Sequence, residues 1–144
     1  MAHEILSVKL CQLDDEFGKL HSRIHLSESA GHEQLSREIE LLSQECSEAG
    51  LALGEKLRLS KSEYASVLYS YYEKMEDLIR EGCARLQALA AQRPEENASA
   101  EAKLLLAEYA LDFAHQAADR ALLISMDAIY TQLLIQDERE RKET

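Results

Sequence analysis

Apolar residues recur at steps of three and four along four stretches of this chain, the spacing of one buried helical face. The first stretch, residues 3–26, carries Leu6, Leu10, Leu13, Phe17, Leu20 and Ile24. The second, 32–59, carries Leu35, Ile39, Leu42, Cys46, Ala49, Leu53 and Leu57. The third, 61–91, carries Tyr64, Leu68, Tyr71, Met75, Leu78, Gly82, Leu86 and Leu89; Gly82 falls where a core side chain belongs, so a bulky neighbour is expected to fill that space. The fourth, 98–137, carries Leu106, Ala110, Phe113, Ala117, Ala121, Ile124, Ala128, Thr131 and Ile135. No stretch alternates in the two-residue period of a strand.

Turn signals separate the stretches. Ser27 to Gly31 supply the first. Ser60-Lys61-Ser62-Glu63 has the spacing of a capping box, in which a Ser hydroxyl and a Glu carboxylate each satisfy an exposed backbone N–H. Pro94 with Glu95, Glu96 and Asn97 marks the third, and Asn97 or Ser99 can cap the last helix. Short turns place successive helices antiparallel. The predicted fold is therefore all-α, an antiparallel up-down four-helix bundle with a long C-terminal helix, in one domain over 1–144. The charged tail 138–144 is expected to fray. Leu13, Phe17, Ile39, Leu42, Met75 and Phe113 are the expected core, and Cys46 a small core residue. Gly50 and Gly54 lie beside the second stripe; they mark either close helix approach or a weakened helix end.

Composition agrees with helices: one proline and five glycines in 144 residues leave few breakers. The net charge of −11 and the absence of a Lys/Arg cluster disfavour nucleic acid and anionic membrane surfaces as partners. Met1-Ala2-His3-Glu4 lacks the basic start of a signal peptide, and no apolar run is long enough to span a membrane. Cys11, Cys46 and Cys83 form no CxxC pair and read as free thiols, pointing to the cytoplasm.

Candidate chemistry is sparse. His21 and His25, four residues apart, share a helix face with Asp14 and Glu28; imidazoles and carboxylates at this spacing can hold a transition metal. The alternative is a solvated polar flank, and no cofactor is expected. Ferritin-like di-iron bundles need two Glu-x-x-His pairs; Asp112-x-x-His115 is the nearest match, points away from the stripe and has no second copy. Histidine phosphotransfer domains are also helical bundles, with a Lys three residues after the His and a Gly one further. Ile24 and His25 stand at those positions after His21, so the match is confined to the helical pattern. No Gly-rich turn holds a nucleophile or phosphate, and no catalytic residue is assigned. Tyr64, Tyr69, Tyr71 and Tyr72 cluster on the third helix, the first and third of them on its stripe and Tyr69 facing outward.

A second face of the last helix changes character along its length. Glu108, Asp112, His115 and Asp119 are polar; Leu122, Met126, Tyr130 and Leu133, continuing the same face, are apolar, and Leu123 and Leu134 widen the patch. A helix apolar on nearly all sides must bury its second face against something. The function expected is a non-enzymatic helical-bundle interaction module that self-associates, most simply as a homodimer, or docks another protein. The alternatives are a metal- or ligand-binding bundle built on His21 and His25 and a divergent histidine phosphotransfer-like domain.

Overall fold

The computed structural model describes residues 3–144; Met1 and Ala2, part of the N-terminal reading, lie outside them. Those residues form four helices and no strand: α1 (His3–Glu28), α2 (His32–Leu59), α3 (Glu63–Ala91) and α4 (Ala98–Glu143). The breakers act where the sequence places them. Gly31 precedes α2 in extended conformation, and its carbonyl accepts from Leu35 N–H at 2.9 Å. Its φ of −73° is open to any residue, so the turn does not depend on glycine's freedom. Past Ala91 the chain tightens, Arg93 N–H reaching Ala90 O at 3.2 Å. Pro94 then restricts the residue before it to extended backbone and prevents the helix from continuing.

Two boundary details differ from expectation. The Ser60–Glu63 capping box does not form. The N-cap of α3 is Ser62, two residues later than expected, so Glu63 stands at the first helical position instead of the third that the box requires, and no side chain caps the helix. The Ser60 hydroxyl instead accepts from Ser62 N–H at 3.3 Å, a local turn bond that ends α2 without capping α3. At the other end, α4 runs through the charged tail to Glu143, giving 46 residues and about 69 Å of helix. The acidic-basic alternation of Asp137–Lys142 is compatible with helix, and Arg141 and Lys142 sit favourably at the negative end of its dipole.

By its contacts the chain divides into two units, Met1–Glu28 with Ala107–Thr144, and Ser29–Leu106. In the second unit α2 packs on α3 as an antiparallel hairpin. A Cβ built on Gly50 lies 3.1 Å from the Tyr72 hydroxyl, and one on Gly54, a turn later, lies 3.6 Å from Tyr69, a turn earlier. The order of these contacts runs oppositely along the two helices. Tyr72 Oη donates to the Gly50 carbonyl at 3.3 Å. The two glycines thus mark close helix approach: absent side chains make room for two phenol rings. Gly82 does not play the matching role, since a Cβ there meets nothing within 4 Å.

The seam of this hairpin is not the stripe expected on α3. Tyr69 and Tyr72 are half-buried, whereas Tyr64 and Tyr71 are exposed, with Lys74 Nζ 5.0 Å from the Tyr71 ring centre. Where α3 turns into α4, Ala90 and Ala98 line a small hollow with Leu86, Leu89, Ala102 and Leu105. Those two alanines are the only buried apolar residues described.

The residues expected as the core are mostly exposed. Leu13, Phe17, Ile39, Met75 and Phe113 are exposed, Phe113 at 69% of its surface, and Leu42 is half-buried. Cys46 is exposed as well. Periodicity identifies a face that favours burial, but burial also requires a partner face, which spacing along one helix does not specify. In the first unit no described residue is buried; on α1 Leu6 is half-buried, and Leu10, Leu13, Phe17 and Leu20 are the least exposed of the remaining large apolar side chains.

Candidate interaction surface

The C-terminal half of α4 carries the surface that the sequence singles out. Successive residues turn by 100° around an α-helix, so Leu122, Met126 and Leu133 fall on one line and Leu123, Tyr130 and Leu134 on the line beside it. All six are exposed, from 45% at Leu134 to 68% at Leu123. Ile124 and Ile135 are exposed on the far side of the helix, so apolar surface wraps most of its girth. The two hydroxyls of the segment bond back to the preceding turn: Ser125 Oγ donates to Ala121 O at 2.7 Å and Thr131 Oγ1 to Asp127 O at 2.9 Å. Both hydroxyls are thereby satisfied within the helix and leave apolar contact as the chemistry of the patch.

The patch is bounded by charge at both ends. Towards the N-terminus His115 Nε2 lies 3.6 Å from Asp119 Oδ2, an exposed pair that is ionic when the histidine is protonated. Beyond Leu134 the helix becomes a run of acids and bases from Asp137 to Glu143. An apolar patch with a charged rim is the composition of a protein–protein contact. His115 turns to Asp119, not to Asp112.

The histidine face of α1 is open. His25 Nδ1 lies 3.9 Å from Glu28 Oε2, with both side chains more than two-thirds exposed, and His21 and Asp14 are exposed. Among the described residues no three His, Cys, Asp or Glu side chains converge as metal ligands would. A two-group contact at this length does not define a coordination site.

The groove along the α2/α3 hairpin holds a phenol whose titration is displaced by its neighbours. Tyr69 Oη donates to Glu73 Oε1 at 2.8 Å. That hydrogen bond, with partial desolvation and the negative charge of Glu73, holds the phenol above its ordinary pKa, while Arg58 pulls in the other direction. Arg80 pairs with Asp77 at 3.3 Å. These groups satisfy one another and line an open groove of mixed charge. Sequence reading missed Tyr69 and Tyr72 as seam residues; the available signal was the glycine pair four residues apart on α2, which needs large residues opposite.

No family model, curated protein or solved structure matches the chain. No described helix is long and apolar enough to cross a membrane.

Proposed function

We propose that the chain is a non-enzymatic helical interaction module that associates with a second copy of itself as a homodimer. The observation that carries this reading is the exposure of Leu122, Leu123, Met126, Tyr130, Leu133 and Leu134 together on one helix. Contiguous apolar surface of this kind is rare on monomeric soluble proteins and marks contact sites. A two-fold homodimer is the commonest closed arrangement that covers such a patch. The antiparallel four-helix bundle is the proposed architecture of the assembled module, with the α2/α3 hairpin supplying two of its helices. The free thiols fit a reducing compartment, so we place the module in the cytoplasm.

Sedimentation or light scattering at micromolar concentration tests the reading on wild type and on a Met126→Glu, Leu133→Glu double variant. The expected result is a wild-type dimer and a variant shifted to monomer. A wild type that remains monomeric refutes self-association. A wild-type dimer unaffected by the substitutions moves the interface away from the α4 patch.

A further inference from the structure

The α2/α3 hairpin carries a second apolar face, separate from the α4 patch. Its position follows from the seam. On α2 the contact line runs through Gly50 and Gly54, and on α3 through Tyr69 and Tyr72. At 100° per residue, Cys46 and Leu53 lie about a quarter-turn back from the α2 contact line, and Leu68 and Met75 about a quarter-turn back from the α3 line. The rotational sense is the same on both helices. Because the helices run in opposite directions and face each other, equal rotations bring both stripes to the same side of the hairpin. Ile39 and Leu53 from α2 thus join Leu68, Tyr71, Met75 and Leu78 from α3 in one continuous face.

All six side chains are exposed, from 44% at Leu53 to 67% at Leu78. At that exposure they present on the order of 600 Å² per copy, close to the roughly 800 Å² that each partner contributes to a standard stable interface. An apolar face of two antiparallel helices is half of a four-helix bundle, and a second such face completes it.

We infer that this hairpin face is covered by the same hairpin of a second copy, two helices from each chain closing one four-helix bundle. The inference rests on the self-association proposed above and assigns the α2/α3 hairpin as a contact in it. The face is suited to pairing with itself, since a two-fold contact sets one patch against its own copy. Its six large side chains carry no charge that would be set against the same charge across the axis.

A native thiol reports on the face. Cys46 lies on the α2 stripe and is exposed, and Cys11 on α1 is exposed as a reference outside the hairpin. The experiment labels the full-length chain with a maleimide over a range of protein concentrations. Labelling at each cysteine is read by peptide mass spectrometry, and the molar mass by sedimentation. Labelling of Cys46 relative to Cys11 is expected to slow roughly tenfold as the chain passes from monomer to dimer, because mass action fills the covered state. A Leu68→Glu, Met75→Glu double variant that keeps its helical circular dichroism is expected to lose both the protection and the mass increase.

If the mass rises with concentration but Cys46 reacts at an unchanging rate, self-association stands and the hairpin contact is wrong. An unchanging fast rate leaves the face open, and an unchanging slow rate assigns its cover to the chain's own helices. If the mass never rises, the proposed function and this inference fall together.

Discussion

Replacing Gly50 with alanine brings a methyl carbon to 3.1 Å from the Tyr72 hydroxyl oxygen, so the phenol must retreat by a few tenths of an ångström. That oxygen also donates to the Gly50 carbonyl at 3.3 Å, already at the long end of hydrogen-bonding distance. The retreat breaks this bond, whose net contribution is about 0.5–1.5 kcal/mol. Against this stands the gain of placing alanine within a helix, about 0.5–1 kcal/mol over glycine. The two terms nearly cancel, and Gly50→Ala should be neutral to about 1 kcal/mol destabilising. Gly54 provides the control. A Cβ there meets Tyr69 at 3.6 Å and Tyr72 at 3.9 Å, ordinary contact distances, so Gly54→Ala should gain the full helical term. The two variants are compared by urea denaturation followed by circular dichroism at one fixed protein concentration. Repeating both in a Tyr72→Phe background removes the hydroxyl, and Gly50→Ala should then stabilise as much as Gly54→Ala. Equal stabilisation by the two alanines in the wild-type background would show that the hairpin does not close on the Tyr72 hydroxyl.

Other substitutions test other parts of the structure. Ser60→Ala should cost about 0.5 kcal/mol in thermal or urea unfolding, the low end for a hydrogen bond, because Ser60 makes one exposed turn contact and caps no helix. Phe113→Ala should change stability by no more than about 0.5 kcal/mol when measured on the dilute chain, against about 3–5 kcal/mol for a buried phenylalanine. Glu73→Gln should lower the Tyr69 pKa towards its ordinary value in an NMR-detected titration. The raised pKa favours the neutral phenol in the fold, so its contribution is present below the unfolded value near 10 and is lost as pH rises through the folded one. A Tyr69 pKa that does not move exonerates Glu73 as the cause. Zinc should leave the melting midpoint of the untagged protein unchanged; a rise that disappears in His21→Ala would establish the α1 metal site instead.

The positions of the helices were legible because Gly31, Ser60–Ser62 and Pro94 interrupt patterns otherwise rich in good helix formers. The seam within the hairpin was not legible in the same way. Hydrophobic periodicity on α3 points to Tyr64, Leu68, Tyr71 and Met75, but the closest approach of α2 is set where Gly50 and Gly54 remove side chains. The residues that fill that space are Tyr69 and Tyr72, one of which the pattern assigns to solvent. Backbone proximity and apolar patterning are distinct signals, and they select neighbouring faces of one helix. The α4 patch was readable because it rests on a contrast along a single face, from Asp112 and His115 to Met126 and Leu133, and each of its residues is exposed. A stripe records which side of a helix would benefit from cover and carries no record of what provides it, which is why the burial of Phe17 and Phe113 did not follow from their spacing.

Only Ser60, Lys61 and Ser62 separate α2 from α3. Contacts across that turn join residues close in sequence, so the hairpin has little chain entropy to lose before its first contacts form. Refolding should consequently divide by molecularity. Closure of the hairpin is expected in a fast phase whose rate is independent of protein concentration. On the proposed self-association, burial of the remaining apolar surface between copies should follow as a second-order phase that slows in proportion on dilution. Stopped-flow refolding at two protein concentrations distinguishes the phases, and under the proposed pairing the time between them is the interval in which a newly made chain has its helices but not its partner.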